Sequence, residues 1–433
     1  MKDSLARQLN HAVEEHRDRL IAIVQDLVRI PSENTAPTGA EGACQQYVAD
    51  FCSAHGWNPE LYEPDTVPGI REHALYEAGR DYRGRPNLAA RKPGAGGGRS
   101  LLLSGHIDTV PRGSQNWTRN PFGGAIEDGR LYGRGSSDMK AGVATNLFAA
   151  ELLETLGLRL RGDLLLETVV DEEFGGANGT LAGRLKGVRA DAAVVSEPTE
   201  LRICPAQRGG RTAHVTLRSP GGILNHGQPA DGVIRQLACL LNGVERFAAE
   251  RRRNVQMHPA FADSEDPVPV WVTKVITAPW GTSEPQTVAE ECRVELYWQA
   301  MPGEKREDVD RDFFAWLDGV AAGAPGLFNG RPEVRFPIRW LPGSALAPTE
   351  PLVTEFQRAA AAALGHAVPV EGMDGPCDMF LFHAFGVPAI LWGVSGGNAH
   401  AADEYVDVDS TLAAAQALVL FICEWCGLAS GAA

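Results

Sequence analysis

The chain has 433 residues, too many for one ordinary core, so two domains are the first expectation. Its 55 acidic and 40 basic residues leave a net charge of −15 with no basic stripe, which argues against nucleic acid as a partner. Apolar content of 44% is enough for large buried sheets, yet no apolar run approaches the ~18 residues of a membrane span.

In chain order, the N-terminal MKDSLARQLNHAVEEHRDRL lacks the apolar stretch of a signal peptide and reads as an amphipathic helix. Leu20, Ile23, Val24, Leu27 and Val28 share one face of it. A second helix carries Cys44, Tyr47, Val48, Phe51 and Cys52 and closes near Gly56. The strand LLLSG then leads into His106 and Asp108, in SGHIDTVP (104–111). GRGSSDMKAG (133–142) supplies Asp138 and opens a long helix through Ala150 to Leu156. The strand DLLLETVV runs into Glu172 and Glu173 of DEEFGG, and DAAVV runs into Glu197 of SEPT. Strands apolar on both faces and separated by helices indicate an α/β domain with a mostly parallel sheet covered on both sides.

The pattern then changes. RTAHVTLR (211–218) alternates as a half-exposed strand, followed by a helix over about 230–250 and strands near 270–276 and 291–299. A helix near 304–321 and a last strand, EVRFPIRW (333–340), complete the order βαββαβ, a ferredoxin-like α+β arrangement. Helix-and-sheet style resumes after LPGSALAP and carries His400 in GGNAHAADEY. Because His400 must join ligands from the first segment, the small domain reads as an insertion: 1–209 and 342–433 form the catalytic domain, 210–341 the inserted one. The eight cysteines lack regular spacing and read as reduced thiols of a cytoplasmic protein. Cys423 and Cys426 form a CxxC, but inside an apolar helix, where core thiols are the expectation.

Two imidazoles and three carboxylates, each ending a strand-like run among small residues, suit two divalent cations about 3.5–4 Å apart that share one carboxylate. Zinc fits this donor set, with cobalt or manganese as alternatives. Asp138 in its Gly-rich turn is the natural bridge, His106 and His400 would each cap one ion, and Glu173 and Glu197 would complete the shells. Asp108, two residues beyond His106, would orient the imidazole with its carboxylate. Glu172 would stay off the ions and move the proton of the attacking water.

These segments, together with RIPSEN (29–34) and RPNLAA (85–90), resemble the dizinc exopeptidase and deacylase family of acetylornithine deacetylase, succinyl-diaminopimelate desuccinylase, aminoacylase and glutamate carboxypeptidase. The resemblance implies the same ligands and base, a cis peptide between Asp138 and Met139, and an inserted lid that makes a homodimer. It also implies that His226, in ILNHGQPADG, helps stabilise the oxyanion in the partner's site. Two positions depart from the family's pattern. Gln286 stands where an Asn approaches the substrate, and Gln299 where an Arg grips a carboxylate, so either another lid arginine (Arg208, Arg211 or Arg293) takes over that grip or the leaving group is recognised differently.

The resulting expectation is an enzyme hydrolysing an amide in an N-acyl amino acid or related small conjugate, with neither membrane nor nucleic acid as partner. A dipeptidase or glutamate-type carboxypeptidase on the same site is the alternative. An intact DEEFGG disfavours carbamoyl-amide hydrolysis, and an intact ligand set disfavours a mere binding protein.

Overall fold

The computed structural model describes residues 2–176, 178–220, 222–223, 232–277 and 287–429. The chain divides into two compact units, one of residues 1–206, 345–373 and 377–433, the other of 207–344 and 374–376.

The larger unit is built on a mixed sheet. Its middle strands, Ala389–Leu391, Ala192–Val195, Leu101–His106 and Leu164–Val169, lie side by side and parallel. Antiparallel strands flank them, Asn87–Lys92 and Glu60–Tyr62 at one edge and Ile203–Gln207 at the other. Leu101–His106 is buried at every position, as a strand covered on both faces must be.

The N-terminal segment forms two helices, Lys2–Glu15 and Arg17–Arg29, rather than one, with the break at His16. The second buries Leu20, Ile23, Val24, Leu27 and Val28, the face read from the sequence. The long helix begins at Ala141, three residues after Asp138. Gly142 lets its first turn sit against a strand end, since a Cβ there would lie 2.0 Å from the Ser196 carbonyl oxygen.

The helix Val408–Cys426 corrects the sequence reading of apolar runs: at 19 residues and a mean hydropathy of 1.3 it is long and apolar enough to cross a bilayer. It packs instead against helices Pro351–Leu364, Ala141–Thr155 and Lys2–Glu15, in the main hydrophobic core. Cys423 and Cys426 are buried in it as free thiols, each pushed up to about 12 by burial.

The smaller unit has the order βαββαβ. Its sheet runs Val270–Thr277, Glu291–Ala300, Gly209–Arg218, Glu333–Arg335, antiparallel throughout. Helices Gly232–Asn254 and Arg306–Ala322 bring Phe247 and Phe313 onto Trp298, whose ring stacks on Phe313 at 4.7 Å, and Trp316 packs on both phenylalanines. Two expectations are corrected here. Gly209–Arg218 is a central strand, paired on one edge along its length and on the other at His214–Thr216, and it is buried everywhere except His214 and Arg218. The last strand stops at Arg335, two residues before Pro337, which has no N–H to extend a ladder.

Candidate metal centre and active site

Parallel strands end on the same side of a sheet, and three neighbours here end in reactive groups. Leu101–His106 ends in His106, Leu164–Val169 leads to Glu172 and Glu173, and Ala192–Val195 leads to Glu197. Asp138 stands in the turn Ser136–Lys140, where it and Met139 depart from helical φ/ψ and the peptide between them is cis. His400 lies between the paired strands Gly396–Gly397 and Tyr405–Asp407, with φ of +63°.

These residues converge. Asp138 presents one oxygen to each imidazole, Oδ1 at 3.0 Å from His106 Nε2 and Oδ2 at 3.3 Å from His400 Nε2. Glu173 Oε2 is 2.9 Å from His400 Nε2. On the other side, His106 Nε2 is 3.9 Å from Glu197 and 4.0 Å from Glu172. Oxygen and nitrogen atoms of His106, Glu172 and Glu197, and of His106, Asp138 and Glu173, cluster within the reach of a cation.

The electrostatics call for positive charge. Burial, followed by the neighbouring Asp378, pushes Glu172 well above the usual carboxylate range. Burial pushes Glu197 up to about 8, and it raises Glu173, with Asp138 adding to the effect. Burial works against ionised Asp138 too, but hydrogen bonds from His106 and His400 outweigh it and hold that carboxyl low. Asp138 and then Glu173 push His400 up to about 11. Four carboxylates thus compete for protons around two imidazoles, and divalent cations would displace those protons. Glu197 Oε1 is buried with no hydrogen-bond partner among the described residues, an oxygen left over for a ligand. The donor set therefore fits two hard or borderline cations.

Asp108 does not orient His106 as expected. The imidazole Nδ1 sits 2.9 Å from the Asp108 main-chain oxygen, whereas the nearer carboxylate oxygen is 3.6 Å away, beyond hydrogen-bond length. The Asp108 carboxylate instead accepts the backbone N–H of Glu172 at 3.2 Å and of Glu173 at 3.1 Å, pinning the glutamate loop. Glu404 performs the matching task for the Asp138 turn, accepting N–H groups of Gly135, Ser137 and Asp138 and pairing with Arg134 at 2.6 Å. The sequence reading missed Glu404. An acidic residue four positions beyond His400, inside a Gly-rich segment, was the available signal.

Gln299 is buried in the smaller unit with both ends of its amide engaged. Its Oε1 accepts from Arg208 Nη1 at 2.7 Å and its Nε2 donates to the Asp374 carbonyl. Arg211, expected near the substrate, makes a two-pronged pair with Asp310 at 2.9 and 2.7 Å and lies over the Phe336 ring. Reading a substrate carboxylate would require it to leave Asp310. Arg293 is exposed and paired with Glu291 at 3.2 Å. His226 and Gln286 fall outside the described residues.

Residues 102–424 match the family described as peptidase family M20/M25/M40. Along 99% of both chains, the protein is 27% identical to the N-formyl-4-amino-5-aminomethyl-2-methylpyrimidine deformylase of Halalkalibacterium halodurans. It is 34% identical to the succinyl-diaminopimelate desuccinylase of Methylobacterium nodulans, over 51% of this chain and 55% of that one. The fold is that of human carnosine dipeptidase 1, with a TM-score of 0.73 at 13% identity over 97% of this chain and 99% of that one.

Proposed function

This chain belongs to peptidase family M20/M25/M40, a family of metal-dependent amide hydrolases, and on that footing we propose that it is a deacylase of N-acylated small molecules. One cation would be held by His106, Asp138 and Glu197, the other by His400, Asp138 and Glu173, with zinc the best match to the donors and cobalt or manganese as substitutes. When bound, such a pair supplies Lewis acidity, lowering the pKa of water and polarising a carbonyl oxygen.

Glu172 is assigned to proton transfer rather than to a cation. It and Glu197 stand at nearly equal distance from His106, but the Glu172 side chain is 14% exposed against 6% for Glu197. The more open carboxylate is the one a substrate and a water can reach. Glu172 takes the proton of the attacking water and returns it to the departing amine. Asp108, through the main-chain N–H groups of the loop, keeps both glutamates aimed while this happens. His226 of a second copy is assigned to the oxyanion, which makes a homodimer through the smaller unit part of the proposal.

The observation that carries the reading is Asp138, whose two oxygens face two different imidazoles. Gln299 stands where the family's pattern has an Arg that grips a carboxylate. With a neutral amide already engaged at that position, the amine product need carry no carboxylate, as in the formylated pyrimidine named for the full-length relative. The dipeptidase and carboxypeptidase reading requires a free cationic reader, and Arg208, Arg211 and Arg293 are all engaged in the smaller unit. With eight free thiols, the cytoplasm is the proposed compartment.

The test is a hydrolysis screen of the metal-loaded protein on N-formyl, N-acetyl and N-succinyl amides, each with a neutral and a carboxylate-bearing amine, beside a dipeptide set. Turnover of the neutral formyl or acetyl amides supports the proposal. Turnover of dipeptides alone would replace it with the peptidase reading.

A further inference from the structure

The motif RIPSEN contributes no metal ligand, yet it runs beside the His106 strand end. The Ser32 hydroxyl donates to the Ile107 carbonyl at 2.6 Å, the Thr109 N–H to Ser32 at 3.0 Å, and the Asn34 N–H to the Thr109 carbonyl at 2.8 Å. This fixes the Asn34 backbone and leaves its side chain pointing among charges. Asn34 Nδ2 donates to Asp108 at 2.9 Å and to Asp171 at 2.8 Å, while Asn34 Oδ1 accepts from Arg80 Nη2 at 2.7 Å. The orientation of this amide is unambiguous, because a flipped one would set its oxygen against two carboxylates.

Both carboxylates joined in this way hold the glutamate pair, Asp108 through hydrogen bonds and Asp171 through the chain. Asp108 holds the N–H groups of Glu172 and Glu173. Asp171 immediately precedes Glu172 and has φ of +72°, a left-handed conformation that a non-glycine residue keeps only when its surroundings enforce it. Arg80, Arg85 at 3.1 Å and the Tyr82 hydroxyl at 2.6 Å also hold Asp171, and Arg80 lies over the Phe174 ring of the same loop. Arg85 in turn pairs with buried Glu41 at 2.6 Å. Only a primary amide donates to two carboxylates and accepts from a guanidinium at once without adding charge.

We propose that Asn34 is the positioning residue that ties the His106–Asp108 strand end to the Glu172–Glu173 loop and so sets where the two glutamates stand. The inference rests on the dimetal reading above and gives the RIPSEN segment a task in the site. Asn34→Ala removes one donor from each carboxylate. Asn34→Asp keeps the shape but places a third carboxylate against Asp108 and Asp171.

The test measures zinc affinity by competition with a chromophoric chelator, the visible spectrum of the cobalt-loaded protein, and kcat and KM separately, for wild type and both variants. The expected result for Asn34→Ala is a loss of 10–100-fold in zinc affinity and a similar fall in kcat, by analogy with other partners of metal ligands, with KM within about threefold. Its cobalt spectrum should be altered, and Asn34→Asp should lose more than Asn34→Ala. Should Asn34→Ala not fold, Asn34→Ser, which keeps one donor, takes its place with an intermediate loss expected. Variants that bind zinc and turn over within threefold of wild type, with an unchanged cobalt spectrum, would overturn the role of Asn34, as would a loss confined to melting temperature. Wild-type protein that takes up no divalent ion would instead overturn the dimetal reading, and this inference with it.

Discussion

The carboxylate of Glu404 accepts the backbone N–H of Asp138 at 3.1 Å, so the residue that faces both imidazoles is aimed through its own main chain. The same carboxylate holds Gly135 and Ser137 and carries the buried charge of Arg134. Replacing Glu404 by Gln leaves one acceptor oxygen where there were two and strands a buried guanidinium. Breaking a buried pair from one side costs about 3–5 kcal/mol, and loosening a ligand's support costs about 10–100-fold in metal affinity. Urea unfolding and zinc titration of Glu404→Gln should show both losses. A variant with native stability would mean that Arg134 finds other partners.

Gly142 is where the helix after Asp138 touches the strand end before Glu197. A methyl group there would meet the Ser196 carbonyl at 2.0 Å, a contact with rigid backbone on the opposing side. Gly142→Ala should therefore move Asp138 away from Glu197 and lower kcat by about 100-fold, the usual cost of a misplacement near 1 Å. Its helix propensity gain of about 1 kcal/mol does not offset such a clash. Steady-state kinetics within threefold of wild type would show that the helix can shift without moving the site.

Gln299→Arg tests how the smaller unit is wired. By the family pattern alone, an arginine would restore a carboxylate grip. In this chain it would set a second guanidinium beside Arg208, whose Nη1 is 2.7 Å from the Gln299 oxygen, and would take away the acceptor Arg208 uses. The variant should melt lower than wild type, by several degrees for a loss of about 2 kcal/mol, and should gain no preference for carboxylate-bearing substrates. A stable variant with a raised ratio of kcat/KM for acid over amide would restore the grip as the function of this position.

Part of the candidate site was legible in the sequence: His106, Glu173 and Glu197 follow apolar strands beside small residues, and those strands run parallel, so their ends come together, whereas His400 comes from between two short strands. What could not be read is the polar scaffold behind it. Asn34, Arg80, Asp171 and Glu404 act through hydrogen bonds to main chain or to residues far along the chain, and no periodicity records those. The same reason explains Asp108: i and i+2 place it near His106, but the N–H groups of the glutamate loop claim its carboxylate first. Hydropathy alone also misjudged Val408–Cys426, where scattered polar residues interrupt an otherwise apolar helix that the core absorbs.

Acid should weaken the fold through His383. Burial lowers its pKa below the ordinary 6.5, while its Nε2 sits 3.0 Å from the Ala389 carbonyl and its Nδ1 has no partner among the described residues. A second proton on Nδ1 would find no acceptor. The folded state therefore binds fewer protons than the unfolded one. The stabilisation is complete above pH 6.5 and is lost as pH falls through the lowered folded value, at no more than about 1.4 kcal/mol per pH unit. Unfolding curves from pH 7.5 to 5 should show wild type losing stability relative to His383→Gln, which keeps a donor and does not titrate. Parallel curves would remove His383 as the source.

The most direct test of the account is metal content and turnover measured on one preparation of Glu172→Gln. Two divalent ions per chain are expected, as in wild type, with kcat lowered by about 10²–10⁴-fold, the range for removing a general base. Glu173→Gln, measured beside it, should lose ion as well as rate. An ion missing from Glu172→Gln, or turnover near the wild-type rate with both ions present, would contradict the assignment of Glu172 as the proton carrier beside a dimetal centre.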